Sequence, residues 1–451
     1  QDSSSAASDV YKRQIQWGNN LLLREVVNGE RINRRVKYSP TMFCPVMRET
    51  KYKTLDGKYV MPVKHETIKE AKNWVQQYED QPHLVYGNTN FQFNYLYEQY
   101  HNLDWNMDEV LIITIDIEVA CENGFPNVKD AAEEMLSITI KNQQNKQIFV
   151  WGVGKYKTDR KDVVYIECDN EYELLTEFLK FWKVNQPDVI TGWNTEFFDI
   201  PYLCNRIKRI MGEETLKDLS PWRSVLSKTI YQMGRQHQVY EIQGVAALDY
   251  YDLYRKFTYT NQESYKLDHI ASVELGIKKD ENPHDTFRDW YTNDFQSFID
   301  YNIKDVEIVD QLEDKMKLIE LCLTMAYEAK VNYVDVLGTV RYWDILIHNY
   351  LMDKKIVIPQ KTNKEKSDKY EGAYVKDPQV GEHKWVVSFD LNSLYPHLIM
   401  QYNISPETLK SEKTVPNMNV DKMLEKKVDT SILKDTTMTP NGALFRTDKK
   451  G

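Results

Sequence analysis

The chain has no CxxC pair, and its five cysteines (Cys44, Cys121, Cys168, Cys204 and Cys322) are scattered and odd in number. That spacing excludes a disulfide framework and a cysteine zinc site, and fits thiols kept reduced. The nine histidines come no closer in sequence than His383 and His397, so no helix-spaced pair of imidazole ligands exists. No run approaches the roughly 18 uncharged apolar residues of a membrane helix. The first fourteen residues, QDSSSAASDVYKRQ, lack the apolar stretch of a secretory signal. They read as a tail or assembly scar outside the fold, which leaves the cytoplasm as the default location. Internal repeats and low-complexity tracts are also missing.

A basic excess is missing too. The net charge is −10, the wrong sign for a chain-wide nucleic-acid footprint. Residues 206–235 run against this trend, with seven Lys or Arg against three Asp or Glu. Such a stretch is either a solvated face or a local binding surface. What is abundant is ordinary for a globular protein: 41% hydrophobic and 28% charged residues over 451 positions, enough for two or three domains. The 30 tyrosines and 10 tryptophans suit bulky cores or base-stacking surfaces, and a count does not choose between them.

Periodicity predicts a mixed α/β organisation. Asn28-Gly29 between Leu21–Leu23 and Arg35–Tyr38 signals a hairpin. Thr67 and Glu70 form a capping-box pair ahead of Ile68, Ala71 and Val75. An apolar strand runs from Val110 to Val119, followed by a hairpin of Leu136–Ile140 and Ile148–Trp151 around Gln143–Lys146. Leu175, Phe178, Leu179 and Trp182 mark a helix face. A strand at Val189–Ile190 leads to a helix beyond Ile200. A second hairpin is expected with Gly234-Arg235-Gln236-His237 as its turn and Val239–Ile242 as a strand. One long helical stretch runs from Phe295 toward Lys330. Residues 360–369 read as a charged linker, and a new strand starts at Trp385.

Charged groups inside the apolar strand Val110–Val119 need a reason, because burying them unpaired is costly. Asp116 and Glu118 are two apart and so share one strand face. Side-by-side carboxylates repel unless a cation sits between them, and hard divalent cations suit oxygen ligands. The bland reading is a sheet edge with solvated acids. Asp199, in TGWNTEFFD (Thr191–Asp199), opens a helix, where an acid complements the positive end. Tyr301 and Asp305 are one helical turn apart and can reach one site.

Taken in order, DxE, WN-x3-FD and Y-x3-D resemble the motifs of the DEDDy exonucleases, a family with a ribonuclease-H-like fold. The resemblance implies that Asp116, Glu118, Asp199 and Asp305 hold two metal ions, normally Mg²⁺ with Mn²⁺ as a substitute, and that Tyr301 orients the attacking water. It also suggests Asn194 and Phe198 as contacts to the 3′-terminal nucleotide, although Phe198 also fits a core position.

Further along, Ser388–Pro396 reads SFDLNSLYP and contains DxxSLYP, the motif that opens the palm of family B DNA polymerases. With Pro40-Thr41-Met42-Phe43 and Asn403–Thr408, it makes the chain from about residue 15 onward similar to the T-even bacteriophage type. The resemblance implies that Asp390 is one of two metal-binding palm aspartates and Tyr395 the steric gate against a ribose. Tyr370–Val375 stands where the family has a YxGG-like linker, with Ala373 in place of the second Gly. The hairpin before Ile242 would help part primer from template.

The expected layout is a tail at 1–14, an N-terminal α/β domain at 15–108 and the 3′→5′ exonuclease at 109–320. A helical return follows at 321–362, then a truncated palm at 363–451. The family's finger helix and DTD turn are not found, so the 451 residues are expected to hydrolyse but not extend DNA. Expected partners are primer-template and single-stranded DNA, with dNTP and a sliding clamp for the full-length protein, and no membrane. The alternatives are a stand-alone DEDDy exonuclease, which has no palm motif, and a non-catalytic nucleic-acid-binding fragment, which need not keep all four acids.

Overall fold

In the computed structural model the described residues are 10–360 apart from 28, 101–104, 123, 233 and 278–282, together with 376–411, 422, 425, 427, 430–440 and 442–451. They form two compact units, one of residues 1–45 with 61–360 and one of 46–60 with 361–451. The expected linker at 361–369 and the Tyr370–Val375 segment lie outside the described residues.

The first unit opens with an antiparallel sheet of β1 (Val10–Trp17), β2 (Asn20–Val27) and β3 (Glu30–Lys37). The Gly29 hairpin is therefore present, while β1 takes in residues 10–14, which the sequence assigns to the tail. Helix α1 (Ile68–Gln77) is capped by Thr67, whose hydroxyl accepts from the Glu70 N–H at 3.1 Å. Helix α2 (Phe91–Gln99) follows.

The centre is a six-stranded mixed sheet. Its strands are β4 (Ile112–Val119), β5 (Met135–Asn142), β6 (Ile148–Gly152), β7 (Val163–Glu167) and β8 (Val189–Thr191). The hairpin β9 (Val225–Gln232) and β10 (Arg235–Ile242) stands apart from it, and β11 (Ala246–Ala247) is the last strand. The order across the sheet is β7-β6-β5-β4-β8-β11, with β8 parallel to both of its neighbours. The turn of the β9–β10 hairpin is at Gly234, and residues 235–237 already belong to the strand, so the expected turn is misplaced by a few residues.

Helix α3 (Glu171–Val184) buries Leu175, Phe178, Leu179 and Trp182 against this sheet. Each such side chain contributes roughly 1.5–3 kcal/mol by leaving water. Helix α4 (Asp199–Met211) lies beside it, tied by the buried Arg206, whose guanidinium donates to both oxygens of Glu171 and to the Ala131 and Ala132 carbonyls. Helix α5 (Tyr250–Phe257) follows β11.

The long helical stretch is two helices, α6 (Phe295–Met316) and α7 (Leu318–Ala329). Lys317 between them is left-handed, with φ 55°. The Glu313 carboxylate accepts the first N–H groups of α7, those of Ile319 and Glu320, at 3.0 and 3.1 Å. Helix α8 (Thr339–Asp353) and the short strand Ile356–Val357 follow in the same unit.

The boundaries expected at 108 and 320 do not coincide with a gap in packing. Leu21 and Leu23 of β2, Leu96 of α2, Leu253 of α5, Leu312 of α6 and Leu323 of α7 share one core. The ion pair of buried Arg24 with Asp188, at 2.9 Å, fastens β2 to the residue before β8.

In the second unit, the strand expected from Trp385 is absent. Residues 385–391 are irregular, and Trp385, Val386, Val387, Phe389 and Leu391 are exposed. A strand is stable only beside a ladder partner, and none of the described strands pairs with this segment. Helix α9 (Leu394–Tyr402) ends at left-handed Asn403, whose amide donates to the Arg446 and Lys449 carbonyls at 2.6 and 2.7 Å. Leu409–Ser411, Thr436–Met438 and Leu444–Arg446 form a small antiparallel sheet.

Candidate active site

Along β4, Ile113, Ile115 and Ile117 enter the core between the sheet and α3–α4, which turns Asp116 and Glu118 to the opposite face. On that face the cross-strand neighbours in β5 are Thr139 opposite Asp116 and Ser137 opposite Glu118. Helix α6 covers these positions. Its Asn302 is fully buried, accepts from the Ser137 hydroxyl at 3.0 Å and from Thr139, and donates to Asp116 Oδ2 at 2.5 Å. One turn on, α6 delivers Asp305. One oxygen each from Asp116, Glu118 and Asp305 lies within 4.8 Å of the other two.

Asp199 is not a member of that closest group. Strand β8 stops at Thr191, paired with Thr114, so β4 outruns its parallel neighbour. The Ile117 N–H, beyond the end of that pairing, donates to Asp199 Oδ1 at 3.0 Å. The chain can turn here because Gly192 has no side chain: a Cβ would lie 2.5 Å from the Ile115 carbonyl oxygen. Burial pushes the Asp199 carboxyl up to about 7, and the negative charge of Asp305 adds to the rise while the Ile117 N–H opposes it. Three hard oxygen donors converging this way, with a fourth carboxyl tethered to the same strand, fit a divalent cation site.

Tyr301 sits one turn before Asp305, half-buried, with its ring edge-on to Trp290 at 4.8 Å between centroids. Asn194 is exposed in a left-handed backbone conformation, φ 65°. Phe198 is half-buried, in contact with both core and surface: its ring lies 5.7 Å from Tyr202 and 5.3 Å from Phe125, which is 83% exposed. Asp390 and Tyr395 are in the other unit. Both are exposed, Asp390 in irregular chain and Tyr395 in the first turn of α9.

Sequence reasoning missed Asn302, Phe125 and Asp249. Asn302 had a signal, since it is three residues from Asp305 and so on its face. Phe125 is a lone aromatic in a polar loop, and Asp249 acts on residues more than fifty positions upstream; neither carries a local signature.

The basic stretch at 206–235 is largely neutralised. Arg206 pairs with Glu171, Lys208 with Glu213, Lys217 with Glu214, Arg223 with Asp218 and Lys228 with Glu241. All five cysteines are free, and no described helix is long and apolar enough to cross a membrane.

Comparison with known proteins decides the family. Residues 64–270 match the exonuclease domain of DNA polymerase family B, and residues 339–450 match DNA polymerase family B itself. The chain belongs to family B of the DNA polymerases. It is 34% identical to the DNA-directed DNA polymerase of Escherichia phage RB69, over 98% of this chain and 52% of that protein. It is 35% identical to the enzyme of Enterobacteria phage T4, over 88% and 47%. The DNA polymerase catalytic subunit of Human herpesvirus 7 is 28% identical over 69% of this chain and 32% of that protein. The chain thus spans about half the length of the phage relatives it matches. The matched exonuclease segment contains Asp116, Glu118 and Asp199, while Asp305 lies beyond its end at residue 270.

Proposed function

We propose that Asp116, Glu118, Asp199 and Asp305 form the hydrolytic centre of a proofreading 3′→5′ exonuclease with a ribonuclease-H-like fold. The observation that carries this reading is the convergence of Asp116, Glu118 and Asp305 within 4.8 Å, with Asp199 tethered to the same strand. The four carboxylates would hold two divalent cations, Mg²⁺ or in its place Mn²⁺. When bound, such a pair stabilises the charge on the attacking and leaving oxygens of an in-line displacement at phosphorus.

The chain's own residues do the rest. Asn302 fixes the rotamer of Asp116 from the Ser137 and Thr139 hydroxyls, so that carboxylate is oriented before anything binds. Tyr301, one helical turn before Asp305, orients the attacking water. Asn194 and Phe198 hold the terminal nucleotide, by hydrogen bonding and by ring contact, with exposed Phe125 extending the aromatic surface.

The substrate is single-stranded DNA or a primer terminus, and the β9–β10 hairpin parts primer from template. Asp390 and Tyr395 belong to the nucleotide-transfer site of the whole polymerase, whose partners are dNTP and a sliding clamp in the host cytoplasm. These 451 residues by themselves hydrolyse DNA and do not extend it; incorporation of labelled dNTP by this chain would count against that. For the exonuclease, a 5′-labelled single-stranded oligonucleotide is the test. With Mg²⁺ it should shorten from its 3′ end one nucleotide at a time, and EDTA should stop it. Shortening from the 5′ end or internal cutting would refute the assignment.

A further inference from the structure

The loop between β8 and α4 is held by a carboxylate from elsewhere in the chain. The ladder beside β8 continues past β11, with Leu248 N–H donating to the Ile190 carbonyl and Tyr250 N–H to the Gly192 carbonyl, both at 2.9 Å. This sets Asp249, 2% exposed, against the loop. Its Oδ1 accepts from the Asn194 N–H at 2.9 Å and the Tyr251 N–H at 3.0 Å, and its Oδ2 accepts from the Glu196 N–H at 3.0 Å. One side chain therefore caps α5 and fixes two backbone positions of the corner in which Asn194 is left-handed.

A left-handed conformation is uncommon at a non-glycine residue, asparagine being among the few that visit it. It persists where the surroundings over-determine it. Asp249 supplies that constraint, and the consequence is that the Asn194 side chain is presented to solvent at the mouth of the loop, without being folded into the core. We propose that Asp249 is a positioning residue for the 3′-terminal nucleotide, acting through Asn194. The proposal rests on the reading of Asn194 as a nucleotide contact.

The test is a double-mutant cycle on the full chain, with single-stranded DNA and Mg²⁺. Asp249→Ser keeps an oxygen for the Tyr251 N–H, so α5 retains a cap, while the shorter side chain cannot span to Asn194 and Glu196. Asn194→Gly removes the side chain at a φ that glycine adopts freely. Each variant should lower kcat/KM by about tenfold to a hundredfold, the scale expected of a misplaced contact. The double variant should fall no further than the worse single one, because both act through the same contact. The Mg²⁺ concentration for half-maximal rate should not move.

Losses that multiply, or a shifted Mg²⁺ requirement, would show Asp249 acting on general structure or on the carboxylate cluster and would overturn the proposal. Should Asp249→Ser fail to fold, Asn194→Gly still decides, since excision unchanged in that variant removes the contact Asp249 is said to position. A wild-type chain without excision would remove the exonuclease reading and this inference together. An active wild type with multiplying losses would remove this inference alone.

Discussion

The acids of β4 and the acid of the SLYP segment are equally plain in the sequence, yet the fold treats them differently. Asp116 lies in a strand with partners on both sides along part of its length, and is hydrogen-bonded by an asparagine that is itself held by two hydroxyls. Asp390 lies in irregular, exposed chain among apolar residues that no described residue of its own unit covers: Trp385 is 97% and Phe389 90% exposed. A motif records which residues a site needs. A site exists only where sheet and helix hold those residues against their mutual repulsion.

That contrast can be broken at several points. The largest effect is expected from the acids themselves: Asp116→Ala with Glu118→Ala should reduce excision about a thousandfold or more, on the scale of losing the principal electrostatic stabilisation of a transition state. Near-normal rates in that variant, measured by single-turnover release of the 3′ nucleotide, would remove β4 from the chemistry. Asn302→Ala should cost about tenfold to a hundredfold, as for other groups that orient a metal ligand, with a raised Mg²⁺ requirement as its signature.

A smaller, graded effect is expected with pH. Burial raises the Asp199 carboxyl to about 7, so a cation must displace a proton below that value. Apparent Mg²⁺ affinity should therefore rise as pH increases through about 7 and fall as it decreases. A flat profile between pH 6 and 8 would show that Asp199 is ionised throughout. Deleting residues 233–238 should slow excision from duplex ends more than from single strands, and equal slowing would remove the hairpin from strand separation. The smallest effect sharpens the contrast from the other side: Asp390→Ala should leave excision unchanged within experimental error.

The sequence resolved the sheet well wherever one face met a core. The period-two strand at β4, the β5–β6 hairpin and the α3 stripe were legible because burial forces their patterns. It did less well where geometry depends on distant partners. The hairpin turn slipped toward Gly234 because β-register follows pairing, which residues 225–242 leave open on one side. The break at Lys317 is invisible to periodicity, since the apolar spacing continues across it. Charge counts over the basic stretch do not show its ion pairs with Glu171 and Glu241, which are remote or across a strand. The predicted strand at Trp385 failed because an apolar run does not supply a ladder partner. For the site, three of the four acids come together as the family resemblance implied and Asp199 stands beside them on its tether; Asn302 shares the helix face of Asp305, whereas Asp249 emerges only once β11 is placed.

The central claim is that these carboxylates form a two-cation site, and a direct count tests it. Titration of the full chain with Mn²⁺, followed by electron paramagnetic resonance in the presence of a 5′-mononucleotide, should give two bound ions per chain, with fewer than two in the Asp116→Ala, Glu118→Ala variant. Equal stoichiometry in both proteins, or no bound ion in the unmodified chain, would contradict the account.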